Sequence, residues 1–227
     1  MITSWNGKPY HSLDYMLKER FGEKVYKVTL NGGMSCPNRD GTIGHGGCIF
    51  CSKGGSGDFA ASAALSIHEQ IDSQIAMLSA KRPIHKYIAY FQAYTNTYGE
   101  LESLKRKYEE ALAVDGVVGL VIGTRPDCMP DDLLRYLENL NKHTFLLVEY
   151  GIESTRDETL RRINRGHTFQ VTVNAVERTA ACGILTGGHV ILGLPGETHR
   201  SIVAQAKDLS RLPLTTLKMH QLQLIRG

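Results

Sequence analysis

"NGGMSCPNRDGTIGHGGCIFCSKGG", residues 31–55, sets three cysteines within sixteen positions, among eight glycines, a proline and two asparagines. So much glycine argues against both helix and strand, so the segment is a loop whose side chains are its purpose. The spacing is Cys36-x11-Cys48-x2-Cys51. Thiolates are soft ligands, and C-x2-C is a two-point grip on a metal centre. Glycine lets backbone wrap closely around such a centre and leaves N–H groups free to hydrogen-bond to its sulfurs. Three readings stand open on spacing alone. The loop is a bystander with reduced thiols; or His45 completes a closed Cys3His zinc site; or the three thiols hold a [4Fe–4S] cluster, leaving one iron open to a substrate or cosubstrate.

The rest of the chain supplies the frame. It has 227 residues, 25.1 kDa, 42% hydrophobic and 22% charged, the composition of an ordinary globular protein. Net charge is +3 and the pI about 8.5, a mild bias that does not select an anionic partner. The N-terminus "MITSWNGKPYHSLDYM" lacks a basic-then-apolar export pattern. No run approaches the roughly 20 apolar residues of a membrane span, so a cytoplasmic location away from membranes is expected. Five cysteines, an odd number, argue against a disulfide framework, and Cys128 and Cys182 stand alone as packed thiols.

Short apolar runs alternate with helical patterns. Strands are expected at Val25–Leu30, Lys86–Phe91, Val117–Ile122, Phe145–Tyr150, Gly188–Leu192 and Leu217–Leu224, several of them near-continuously apolar, as parallel strands covered on both faces are. Between them, Ile71, Ile75 and Leu78, then Leu101, Leu104 and Tyr108, then Leu133, Leu137 and Leu140, then Val173 and Val176, then Ile202, Ala206 and Leu209 follow helical spacing. The β-α alternation predicts a parallel α/β sheet, which this pattern leaves open between a doubly wound sheet and a barrel. Residues 1–23 read as an N-terminal extension and 24–227 as the core domain; "QLQLIRG" directly after the sixth strand suggests a core truncated at its C-terminus. Ligand sites of parallel folds lie at the carboxyl ends of the strands. The cysteine loop, "QAYTNTY", "GTRPDC", "GIES" and "GLPGE" follow strands one to five in turn, so every unusual segment falls on one rim.

At these residues the chain resembles the radical S-adenosylmethionine enzymes, and within them the radical half of the Elongator catalytic subunit and its small bacterial relatives. "CIFCSKGG" (48–55), "TRPD" (124–127), "GIES" (151–154) with "RINRGHT" (162–168), and "HVILGLPGET" (189–198) carry the likeness, which runs from about Val25 to Leu224. The long first cysteine gap is that of the Elongator-like branch, and Gly123 stands where the Elongator subunit tends to carry an acid. The resemblance implies an incomplete (β/α)6 barrel. It implies a [4Fe–4S] cluster on Cys36, Cys48 and Cys51, S-adenosyl-L-methionine as cosubstrate, and an electron donor. It further implies Phe50 beside the adenine; Gln92, Thr95 and Asn96 at the methionine amino group; Glu153 at the methionine or ribose end; and Arg165 at the carboxylate. His189 would serve the ribose, and Gly193, Pro195 and Gly196 the loop beside the adenine.

Substrate is the least legible part. The Elongator likeness implies tRNA, at the wobble uridine side chain, and Arg125, Arg161, Arg162, Arg165, Lys105, Arg106 and Lys107 offer charge for phosphates. A radical enzyme acting on a small metabolite or tetrapyrrole, and a zinc-stabilised RNA-binding module without catalysis, are the alternatives.

Overall fold

The computed structural model describes residues 4–58, 60–80 and 83–223. Six strands, β1 (Val25–Leu30), β2 (Lys86–Phe91), β3 (Val117–Thr124), β4 (Phe145–Glu153), β5 (Leu185–Leu192) and β6 (Thr216–Gln221), lie side by side in chain order, each parallel to its neighbours. The returns are α2 (Ile67–Ser79), α3 (Leu101–Leu112), α4 (Asp131–Asn141), α5 (Asp157–Arg162) with α6 (Phe169–Ala181), and α7 (His199–Leu209). The result is the expected curled half-barrel, with helices on its outside.

The first two strands keep the bounds the sequence predicts. β3 and β4 run on through "GT" and "GIE", and β5 begins three residues early at "LTG", because a neighbouring ladder holds residues whose own apolar signal is weak. β6 covers Thr216–Gln221, starting one residue early and stopping before Leu222 and Gln223, which the expected strand included; the expected end at Leu224 lies outside the described residues.

Alternation sorts the strand residues into two faces. Outward, Val28, Leu30, Phe91, Leu120, Ile122, Leu146, Val148 and Tyr150 pack against helix residues such as Ile71, Leu104, Tyr108, Leu133, Leu137 and Val176. Inward, the lumen is layered. Its floor is Val25, Ile88, Val121, Phe145 and Leu147. Above that come Lys27, Tyr90, Glu149 and His189, then Gly123 and Gly151 at the rim, where the absence of side chains leaves room.

Residues 1–23, expected as an extension, contain α1 (Leu13–Phe21), which closes the floor. Ser12 caps its start, accepting from Tyr15 N–H, and Gly22, in the left-handed region, ends it. Leu17 is 4% exposed, and Phe21 meets Phe145 edge-on at 5.8 Å. Full burial of one such leucine is worth about 1.5–3 kcal/mol.

At the carboxyl end of β1, two glutamines of α2 cover its free side. Gln74 accepts from Thr29 N–H and donates to its carbonyl, both at 2.8 Å, and Gln70 does the same for Asn31 at 2.9 Å. No helix among the described residues is long and apolar enough to cross a membrane.

Candidate cofactor site

A cavity of about 790 Å³ opens at the carboxyl ends of the strands, and Cys36, Cys48 and Cys51 all line it. The cysteine loop is held from three sides. A turn at its start ties Arg39 N–H and Asp40 N–H to the Cys36 carbonyl. Asn38 and Asn164 clasp the loop to the segment after α5: Asn38 Nδ2 donates to the Asn164 carbonyl (2.5 Å) and Asn164 Nδ2 to the Gly47 carbonyl (2.8 Å). At the far end Tyr94 N–H donates to the Gly55 carbonyl and its hydroxyl to the Lys53 carbonyl. Gly55 has φ +62°, and a Cβ there would stand 2.4 Å from the Tyr94 ring, so "KGG" is glycine for space and conformation alike.

Donors converge on the thiols. Asn38 Nδ2 lies 3.5 Å and Arg165 Nη1 3.7 Å from Cys48 Sγ, and Ser56 Oγ is 3.7 Å from Cys51 Sγ. Arg165, 5% exposed, is fixed by donating from Nη2 to the Gly151 carbonyl at 2.6 Å, and its own carbonyl accepts from Arg125 Nη2 at 2.8 Å. Arg125 makes a two-pronged pair with Asp127 (2.9 and 2.7 Å). Burial works against the Asp127 carboxylate, but the Arg125 hydrogen bond and charge outweigh it and hold its pKa low. This corrects the reading of Arg125 as an RNA contact: at 3% exposure it is a buried strut beneath Arg165.

Glu153 ends β4 with φ +64°, just past the register shift between Gly151 and Glu153. A non-glycine residue in that region is held there by its surroundings at a cost. Its carboxylate lies 3.8 Å from Arg165 Nη2 and is 8% exposed; burial raises its pKa, with Arg165 opposing. Gln92, anchored by Nε2 to the Ser56 carbonyl, and buried Thr95 line the opposite lip. Phe50 lines the cavity too, packed with Leu160, Ile163, Ile191 and Leu194 into an apolar wall. His189 lines it deeper in.

Two expected residues stand apart. Asn96 is fully buried and does not line the cavity: Nδ2 donates to the carbonyls of Phe91 and Gly123, tying β2 to β3. Gly193, φ +89°, shapes the turn after β5 outside the lining, while Pro195 of the same loop reaches it. Cys128 lies outside the cavity as well, its thiol pushed up to about 12 by burial and by Asp127.

Sequence reasoning missed the charged layer inside the lumen. Glu149 Oε1 accepts from Lys27 Nζ (3.2 Å), and Oε2 pairs with His189 Nε2 (2.9 Å); Lys27 also sits 4.4 Å over the Tyr90 ring. Burial opposes its charge, but the His189 hydrogen bond and Lys27 prevail and hold Glu149 at about 2. Lys218 and His220 of β6 complete the layer. Single charged residues within "VYKVTL", "LLVEYG" and "TLKMHQ" are the signal that could have found it.

The residues fit an iron–sulfur cluster better than a zinc ion. Arg39 Nε, Arg125 Nη1 and Arg165 Nε are buried without an acceptor among the described residues, so the pocket has donors to spare for anionic guests such as thiolate-bound iron and a carboxylate. His45 is exposed, lies outside the cavity and packs over Gly41, and among the described residues no three Cys, His, Asp or Glu gather around one ion.

Comparison with known proteins agrees. The family model described as "Radical SAM superfamily" matches residues 39–209. The chain is 46% identical over 220 residues to YtqA of Bacillus subtilis, covering 97% of itself and 68% of that protein, and 39% identical over 212 residues to YhcC of Escherichia coli K12, covering 93% and 67%. Among solved structures, the archaeal Methanocaldococcus infernus Elp3 superposes with TM-score 0.64 at 19% identity, covering 89% of this chain and 47% of that one. Coproporphyrinogen III oxidase (HemN) of Escherichia coli, a radical SAM enzyme, gives 0.60 at 15% identity, covering 88% and 44%. This chain thus spans about two thirds of the curated relatives and under half of those two solved chains. The three-thiol loop, the half-barrel and the family match meet in one conclusion: the chain belongs to the radical SAM superfamily, whose enzymes work with a [4Fe–4S] cluster and S-adenosylmethionine.

Proposed function

We propose that this chain directs radical chemistry at tRNA, at the side chain of the wobble uridine. The observation that carries the reading is the cysteine loop with the long first gap of the Elongator-like branch, opening onto a cavity shared with the "GIES" glutamate and the "RINRGHT" arginine. When bound, the cluster and S-adenosylmethionine supply reductive cleavage to methionine and a 5′-deoxyadenosyl radical, with an external donor giving the electron.

The chain's own residues bind and orient. Cys36, Cys48 and Cys51 would hold three irons, and the amide of Asn38 and the guanidinium of Arg165 donate toward Cys48 Sγ. Arg165 offers its remaining donors to the methionine carboxylate, held in place by the Gly151 carbonyl and by Arg125. Glu153, Gln92 and Thr95 present acceptors to the amino group. An ammonium beside Glu153 returns the ionised carboxylate that burial disfavours. Phe50 and Ile191 give the adenine an apolar wall that excludes water, and His189, its ring nitrogens engaged by Glu149 and His220, lines the wall on the ribose side.

Exposed Arg161, on α5 at the rim, takes over the phosphate-facing role that buried Arg125 cannot fill. The test has two parts. Anaerobic reconstitution with iron, sulfide, S-adenosylmethionine and a reductant should yield 5′-deoxyadenosine, and tRNA from a deletion strain should carry an altered wobble uridine. Arg161→Glu should weaken tRNA binding more than Lys107→Glu, with affinity falling as salt rises because phosphate contacts release counterions. Production of 5′-deoxyadenosine with unaltered tRNA nucleosides and salt-insensitive binding would move the substrate to a small metabolite or tetrapyrrole.

A further inference from the structure

The charged layer of the lumen does not balance. Both oxygens of Glu149 are committed, Oε1 to Lys27 and Oε2 to His189. His189 Nδ1 is taken as well, 3.3 Å from His220 Nε2. Two donors remain. Lys218 lines the cavity with no ion-pair partner among the described residues, and His220 keeps Nδ1 without a partner among them. They lie two positions apart on β6 and so on one face of it, in register with His189 and Ile191, whose side chains also line the cavity. Lys27 and Lys218 bring two ammonium groups to a wall that holds one carboxylate.

Lys218 is exposed on this edge strand and His220 half-buried, so the surplus stands at the mouth of the lumen, where an anion entering from solvent would meet it. Although the residue as a whole is exposed, partial desolvation of its ammonium against the cavity wall and, to a lesser degree, Lys27 lower the pKa of Lys218 while Glu149 opposes. The methionine carboxylate has its own candidate in Arg165, which hangs on the Gly151 carbonyl of β4, two strands away.

We propose that Lys218 and His220 form a subsite for an anionic group of the substrate, a carboxylate or a phosphate, with the Lys27–Glu149–His189 network holding His220 in place behind it. This rests on the reading of the cavity as the place where the substrate meets the radical, and it adds that the reacting part of the substrate carries negative charge close to the reacting atom. Lys218 Nζ supplies the charge. With His189 donating from Nε2 to Glu149 and from Nδ1 to His220 Nε2, His220 donates from Nδ1 to the same anion.

The test does not need turnover. Reconstituted holoenzyme is treated with acetic anhydride, and acetylation of each lysine is followed by peptide mass spectrometry in inorganic phosphate, in malonate, and in chloride of equal ionic strength. Protection of Lys218, with exposed Lys142 and Lys207 labelled equally in all three, is expected; phosphate alone protecting identifies a phosphate subsite, and malonate alone a carboxylate one. Titration of the same anions into Lys218→Met should show affinity lower by roughly ten- to a hundredfold, the loss of one charge-assisted hydrogen bond. Lys218→Arg should recover most of it, with iron content and melting temperature as controls for folding. Equal labelling of Lys218 in all three salts would overturn the subsite whatever the enzyme does to S-adenosylmethionine. Failure of the wild type to make 5′-deoxyadenosine would instead count against the radical reading and leave the labelling result standing.

Discussion

Gly151→Ala adds one methyl group to a strand of the barrel and touches no cysteine. A Cβ at Gly151 would stand 2.6 Å from Glu153 Oε1 and 2.8 Å from Arg165 Nη2, where ordinary contacts are 3.4–4 Å. Both groups must therefore retreat by more than half an ångström, and both are buried. The 2.6 Å bond from Arg165 to the Gly151 carbonyl is the first to break. A hydrogen bond made by a charged group contributes about 1.5–3 kcal/mol, and displacement of the guanidinium should weaken the contact proposed for it with the methionine carboxylate by a similar amount. The affinity for S-adenosylmethionine should fall by roughly ten- to a hundredfold. Iron content after anaerobic reconstitution should stay at the wild-type value, because Asn38, Asn164, Arg39 and Tyr94 hold the cysteine loop independently of Gly151. Calorimetric titration and iron analysis on one preparation measure both. Wild-type affinity in Gly151→Ala would refute the placement of Arg165 and Glu153 at the methionine end, and loss of iron would show that the two halves of the site are mechanically one.

Alanine at Cys36, Cys48 or Cys51 should abolish the brown chromophore and the bound iron, while Cys128→Ala, Cys182→Ala and His45→Ala should retain them; normal iron in Cys48→Ala would remove the cluster assignment. Glu149→Gln should destabilise the fold at neutral pH. The carboxyl is held at about 2 against an ordinary 4.5, so its folded-state pKa lies below the unfolded one. Its contribution, about 3 kcal/mol, is then present above pH 4.5 and lost as pH falls toward 2. Denaturant melts of variant and wild type should differ at pH 7 and converge near pH 2, and a difference that does not vary with pH would contradict the Lys27–Glu149–His189 network.

Most of the rim was readable from the chain, because loops after strands carry unusual residues and strands carry apolar ones. Val25–Leu30 and Lys86–Phe91 could be bounded to the residue, and the thiols, Gln92, Thr95, Glu153, Arg165 and His189 do meet in one cavity. What escaped depends on direction rather than identity. "TRPD" does not reveal whether Arg125 points out to solvent or inward, and only the Asp127 pair and the Arg165 carbonyl fix it inward, buried in the wall of the cysteine cavity. Asn96 is a polar residue in a polar loop, and nothing in sequence shows that two backbone carbonyls already claim it. Lys27 and Glu149 lie far apart in the chain, and only strand register turns both into the lumen. The floor-closing role of α1 was hidden because its apolar stripe is short, and its meaning comes from the ring of strand residues beneath it.

The two glutamines on β1 give the half-barrel a direction of growth. A strand left with unpaired amides invites another strand to add to it. Gln70 and Gln74 answer the outward N–H and C=O groups of Thr29 and Asn31 as a neighbouring strand would, so the carboxyl end of that flank, the end at the rim, is already paired. Beyond β6, no partner strand stands among the described residues. At the rim, the edge left without a partner among the described residues is that of β6, and a strand joining there would lie beside Lys218 and His220 and roof the lumen from the side where its charge is unbalanced. Sheet extension and access to the radical would then be controlled at the same edge.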